Sequence, residues 1–190
     1  LTARIALLMS HGVPPERILS LTFTKKAAEE MRARIIAMQG DDARRIWMGT
    51  FHSLFIRFIR PFAPRIGFPE NFTILDEEDA LNTMKRCIDD IVGEGRPPRD
   101  QWSEGQKKLF KEQDAPYKPK TIAGVISAAK NELLTVERYE NSGEILQRDR
   151  TAKRPLTARI YRHYRDVCHR MAMMDFDDIL LYTDILLANN

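Results

Sequence analysis

Cysteine is scarce in this chain, and its scattered placement removes two classes of chemistry at once. Cys87 and Cys168 are the only two among 190 residues. They lie far apart without any CxxC, so neither a disulfide framework nor a cysteine zinc site is expected, and both read as reduced cytosolic thiols. Long apolar runs are missing too. Nothing approaches the roughly 18 residues a membrane helix needs, and no charged-then-apolar leader opens the chain. Net charge is small, with 30 Lys and Arg against 27 Asp and Glu, too little by itself to argue for a polyanionic partner. No GxxxxGK[ST] phosphate loop occurs, nor an acidic strand of the Walker B kind. These absences lead to the expectation of a cytoplasmic protein with no membrane partner, no resident metal and no nucleotide site of the usual kind.

What is present is enough for one or two domains that bury a core unaided, at 43% apolar and 30% charged residues. Charge is uneven. Residues 1–70 carry 11 Lys and Arg against 6 Asp and Glu, whereas 171–190 carry none against 4. A basic first third could attract a polyanion, but on charge alone a solvated helical surface is the better explanation of the excess.

Pattern divides the chain into two styles. Helical spacing over 2–10, stopped near Gly12, is followed by a short β-rich run at Ile18–Phe23 that reads as a buried strand. A helix over 25–38 has Ala27, Met31 and Ile35 on one face. A second strand fits Ile46–Gly49, and a helix over 51–62 with Leu54, Phe55, Phe58 and Ile59 inward is ended by Pro61 and Pro64. This alternation predicts a parallel α/β sheet. From Asp76 to Met174 only helices are expected: 77–92 capped by Asp76, 120–134 and 155–172. Between the first two, Gly93–Pro119 reads as a long loop with one short helix near Lys107–Lys111. A last helix is expected over 175–190.

Both strands end alike. Thr22-Phe23-Thr24-Lys25-Lys26 and Thr50-Phe51-His52-Ser53 each place hydroxyls and one aromatic ring where a strand gives way to a helix. Ligands of open parallel sheets bind at that edge, and a helix start is an anion site. Lys25 and Lys26 oppose the helix dipole, a repulsion that a phosphate relieves. Phe23 and Phe51 offer platforms for bases, so the set matches a sequence-indifferent single-strand binder. The structural alternative is that the threonines are N-caps and the rings core. His52 reads as a cap or a phosphate contact. Asp175-Phe176-Asp177-Asp178 begins a helix, and Asp175 with Asp178 imitates a capping box.

Residues 21–32 (LTFTKKAAEEMR) resemble motif Ia of the UvrD/PcrA/Rep-like superfamily 1 DNA helicases, Gly49-Thr50-Phe51-His52-Ser53-Leu54 resembles motif Ib, and residues 175–180 (DFDDIL) resemble the DFDDLL segment that follows. Weaker echoes lie at 72–76, 130–134 and 161–174. The resemblance spans nearly the whole chain. It implies a partial RecA-like motor domain, 1A, over 1–72, a helical insertion, 1B, over 73–172, and a return to 1A over 173–190. By the same resemblance Thr22, Phe23, Thr24, Lys25, Lys26, Thr50, Phe51, His52, Ser53, Asp175, Phe176 and Asp177 would contact single-stranded DNA or a single/double-strand junction. Lys25 stands where the family usually has Asn, which would replace an amide contact by a charge. The chain is expected to be a piece of a 3′-to-5′ helicase whose parent uses ATP and Mg²⁺ and whose remainder includes 2A and 2B. The piece itself would carry no catalytic residue and would self-associate through an uncovered sheet flank. A helical module that recruits a protein partner remains open as an alternative, as does the helicase part of an AddA/RecB-like helicase-nuclease, against which the GTFHSL segment speaks.

Overall fold

The computed structural model describes residues 1–188; Asn189 and Asn190, the end of the expected last helix, lie outside the described residues. The chain divides into two compact units, one from Leu1 to Pro61 and one beginning at Phe62. The structure is mostly helical with small parallel sheets.

In the first unit, helix α1 (Thr2–Ser10) stops at His11, and Gly12 follows at φ +81°, its amide donating back to the Met9 carbonyl. That left-handed step is the one glycine tolerates best. Strand β1 (Leu19–Thr22) leads into α2 (Lys25–Gln39), and β2 (Trp47–Thr50) leads into α3 (Phe51–Ile59). The strands pair in parallel with Leu19 opposite Trp47 and Thr22 opposite Thr50, as the alternation of strand and helix predicts. Ile5, Ile18, Ile35, Ala43, Ile46 and Met48 form the core.

Three details of this unit differ from expectation. Ala28, not Ala27, is buried with Ile35 on α2, so the inward face runs through positions 28, 31 and 35 at i, i+3, i+7. Strand β1 is not buried throughout: Ser20 and Thr22 face inward while Leu19 is 57% exposed. The Ser20 hydroxyl lies 3.4 Å from the Met31 sulfur, which makes room for a polar residue under α2. Finally, Phe55 and Phe58 are only half-buried beside the buried Leu54 and Ile59. As expected, α3 ends at Ile59 ahead of Pro61 and Pro64, which lie in a following 3₁₀ stretch, Arg60–Ile66. Proline lacks the donor an α-helix needs there.

The second unit is built from helices α4 (Glu77–Val92), α5 (Glu104–Asp114), α6 (Pro119–Asn131), α7 (Val136–Asn141), α8 (Gly143–Thr151), α9 (Thr157–Arg170) and α10 (Phe176–Ala188). Asp76 caps α4 by accepting from the Asp79 amide at 2.8 Å. The expected long loop at 93–119 is largely structured. Ser103 and Gln106 close a capping box that starts α5, and the Trp102 and Phe110 rings pack 4.6 Å apart. The segment's lysines and glutamates are the solvated face of that helix. Short α7 and α8 were hidden by their length, each started by a hydroxyl cap, Thr135 and Ser142. The expectation of helices alone misses one feature: β3 (Thr73–Ile74) pairs in parallel with β4 (Met173–Met174). Thr73 donates to the Ala172 carbonyl and Leu75 to that of Met174, each at 2.8 Å. The chain segments on either side of the helices are thereby held together.

The core of this unit gathers Met84, Cys87, Ile122, Ile126, Tyr161 and Tyr164, with α9 contributing at the helical spacing 157, 160, 161, 164, 168. Burial pushes the Cys87 thiol up to about 11 and the Cys168 thiol up to about 12, so both are inert as nucleophiles at neutral pH.

Candidate nucleic-acid interface

The end of β1 and the end of β2 lie side by side because the strands are in register, so both helix starts open on one rim of the first unit. Local bonding there is mostly spoken for. The Thr24 hydroxyl caps α2, accepting from the Ala27 amide at 3.2 Å, and the Thr50 hydroxyl caps α3, accepting from the Ser53 amide at 3.3 Å. Each cap stabilises its helix by about 1 kcal/mol. The Ser53 hydroxyl donates to the Thr50 carbonyl, and the buried Thr22 hydroxyl donates to the Thr24 carbonyl with the Gly49 carbonyl 3.4 Å away. Gly49 is needed at this corner: a Cβ there would stand 2.7 Å from the Ser53 Oγ and 3.2 Å from Leu54. Arg32 of α2 ties the same strand down by donating to the Met48 carbonyl at 2.5 Å.

The rings behave differently. Phe23 is 93% exposed and Phe51 36%, with centroids 5.9 Å apart and planes tilted by 48°. Phe55 continues the row, 6.2 Å from Phe51 in an edge contact. Burying a phenylalanine stabilises a fold by about 1.5–3 kcal/mol, and the first unit forgoes that at Phe23. A flat guest needs about 7 Å between two parallel rings, so nothing fits between Phe23 and Phe51. The outer face of Phe23 is the open platform. Lys25 and Lys26 stand exposed in the first turn of α2, Lys25 only loosely paired with Glu29 at 4.0 Å. The first-turn amides of that helix precede its first intrahelical bond, Ala28 to Thr24. His52 is half-buried on α3, one residue past the Phe51 ring.

Asp175, Phe176 and Asp177 sit in the second unit, at the start of α10. Asp175 and Asp178 form the reciprocal cap that their spacing predicts: Asp178 N–H donates to Asp175 Oδ1 at 2.8 Å, and Asp175 N–H to Asp178 Oδ2 at 3.1 Å. Spacing did not reveal the third member. Lys130 of α6, 2% exposed, places Nζ 2.7 Å from Asp175 Oδ2 and 2.7 Å from Asp178 Oδ1. The Tyr164 hydroxyl donates to Asp175 Oδ2 at 2.9 Å. The Asp175 carboxylate is thus occupied inside the protein, which departs from the expectation that it meets a strand. Burial opposes the charge on each member, but the two facing carboxylates outweigh it and hold Lys130 protonated. Burial and the charge of Asp175 push Asp178 up, while Lys130 holds Asp175 down. Phe176 remains 45% exposed, and Asp177 accepts from the Asn131 amide at 3.3 Å. Both border a cavity of about 520 Å³ whose wall includes Leu75, Ala80 and Gly124. Among the described residues no three His, Cys, Asp or Glu side chains converge as a metal site, and no helix is long and apolar enough to cross a membrane.

Comparison with known proteins agrees with the motif order. The chain is 38% identical over 185 residues to the ATP-dependent DNA helicase PcrA of Leuconostoc citreum, an alignment covering 96% of this chain and 21% of that protein. The PcrA helicases of Staphylococcus epidermidis and Staphylococcus aureus are 35% and 34% identical over 184 residues, again 96% of this chain and 22% of theirs. The chain therefore spans about a fifth of the length of these relatives. The family model described as the UvrD/REP helicase N-terminal domain matches residues 1–190. With paired strand ends, capped helices and motif order all in agreement, the chain belongs to the UvrD/REP helicase N-terminal domain family.

Proposed function

We propose that this chain is the strand-gripping part of an ATP-dependent DNA helicase that tracks 3′ to 5′ along single-stranded DNA. One observation carries the reading: an almost fully exposed Phe23 ring beside Phe51, at the shared end of two parallel strands and next to the start of α2. A base stacks on the outer face of Phe23, an interaction of about 1–3 kcal/mol that ignores base identity. Lys25, Lys26 and the first-turn amides of α2 take the adjoining phosphate. Thr22, Thr24, Thr50 and Ser53 shape the rim through their internal bonds, and the remaining oxygen lone pairs and His52 are secondary contacts. Phe176 and Asp177 supply a further contact from the second unit.

The first unit with residues up to 72 corresponds in this reading to part of a RecA-like domain 1A, 73–172 to the insertion 1B, and 173 onward to the return into 1A. The β3–β4 pairing supports an insertion, since it brings the two ends of the helical segment together. The glycine geometry supports a reading in which this chain holds no ATP of its own. The glycines with positive φ, Gly12, Gly40, Gly67 and Gly95, are isolated turns, and none forms the glycine-rich cradle that phosphates need. In this reading ATP and Mg²⁺ are held elsewhere in the parent enzyme, and the chain alone does not hydrolyse ATP. Exposed Leu7, Leu8 and Leu19 support self-association of the isolated chain.

The test is fluorescence anisotropy with labelled oligo-dT and mixed-sequence strands across a salt series. The expected result is equal affinity for both strands, a steep fall with salt, and a further loss in Phe23→Ala. Binding that ignores salt and survives Phe23→Ala overturns the reading and favours a protein-docking module.

A further inference from the structure

Lys130 is an expensive residue to bury. Placing an ammonium group out of water costs several kcal/mol unless its surroundings return it, and here one cation meets two carboxylates, so the cluster as a whole is overcompensated. A fold that needed only stability would be served as well by apolar side chains of the same volume. What the cluster does provide is direction. Lys130 comes from α6 and Tyr164 from α9, and both converge on the first turn of α10, where Asp175 and Asp178 already bond each other's amides. Asn131, the next residue of α6, holds Asp177 at 3.3 Å. Asp175, Asp177 and Asp178 are thus all fixed from outside their own helix, and Phe176 lies between them with its ring 45% exposed. The backbone of Phe176 has little freedom to turn.

We infer that Lys130, with Tyr164, is a positioning residue that holds the Phe176 ring at the protein surface for a nucleobase of the bound strand. The inference rests on the strand-binding reading above and extends it to residues that touch no nucleic acid. It assigns a use to the buried lysine of α6, which reaches Asp175 across 45 residues of sequence.

A double-mutant cycle on the full chain tests it, read by oligo-dT affinity and by urea midpoint. Tyr164→Phe removes one hydroxyl from the cluster and keeps the ring in the core, so the chain stays folded; Lys130→Met removes the cation and serves as the harsher second variant. Phe176→Ala removes the ring that is positioned. Tyr164→Phe is expected to weaken binding about three- to tenfold when Phe176 is present and to have no further effect in the Phe176→Ala background, a coupling typical of groups that act as one unit. Additive effects, or a Tyr164→Phe variant with unchanged affinity, overturn the inference. Phe23→Ala separates the two levels. If Phe23→Ala weakens binding and Phe176→Ala does not, the strand reading stands and the positioning role falls. If neither does, both fall.

Discussion

The rim of the first unit and the Lys130 cluster of the second use polar groups in opposite ways. At the rim, hydroxyls serve local geometry, capping α2 and α3 over three residues, while the large apolar group, Phe23, is left in water. In the cluster, charges are buried and bonded across 45 residues of sequence, while the neighbouring apolar group, Phe176, is half in water. Burial therefore does not separate structural residues from those proposed to meet the strand. In both places the short polar side chains are largely committed to the fold, while an aromatic ring keeps much of its surface in water.

Substitutions should pull the two regions apart. The largest effect belongs to Lys130→Met, which leaves two buried carboxylates facing each other and should cost about 3–5 kcal/mol of stability by urea denaturation. Replacing Lys130, Asp175 and Asp178 together by Met, Asn and Asn should recover most of it. Phe23→Ala should do the reverse. Its effect on stability stays within about 0.5 kcal/mol because the ring is exposed, while strand binding loses about 1–3 kcal/mol.

Acidity sharpens the same contrast, because the cluster titrates within the fold. Asp178 is pushed up to about 7 by burial and by Asp175. The folded state thus binds a proton that the unfolded chain has released, and the stability this contributes is present below the ordinary carboxylate range and lost as pH rises toward about 7. Asp175, held down by Lys130 against its burial, acts oppositely: its contribution is lost only as pH falls below the ordinary range. The urea midpoint of the wild type should decline relative to that of Asp178→Asn between about pH 4 and 7, a comparison in which the shared contribution of His169 and the other titrating groups cancels.

The smallest effect concerns backbone strain that the second unit carries. Leu133, Lys153 and Ala172 all sit at positive φ just after helices α6, α8 and α9. Lys153→Gly should relieve the left-handed penalty and raise stability by about 0.5–1 kcal/mol, with no change in strand affinity.

Much of the first unit, and several helix caps of the second, were legible because that information is local. The caps at Thr24, Thr50 and Asp76, the parallel pairing of two short strands and the Asp175–Asp178 box all follow from spacings of three or four residues and from strand-helix alternation. Helix α5 was legible as well, through Ser103 and Gln106 three apart, but the Gly, Pro and Lys content of 93–119 outweighed that signal. The face of α2 was misplaced by one residue, since Ala27 and Ala28 are equally apolar and only packing distinguishes them. For Lys130 the family echo at 130–134 gave no sign of burial: a lysine near the end of an amphipathic helix looks solvated.

Periodicity, capping chemistry and motif order were sufficient for the longer helices, the β1–β2 pair and the family, though not for α7, α8 or the β3–β4 pair, because hydrogen bonding within a helix depends on neighbours a few positions away. Which rings stay in water, and which lysine leaves it, was decided by tertiary packing. Desolvation depends on every atom brought close in space, so Phe23 could be assigned to the surface and Lys130 to the interior only once the helices were in place.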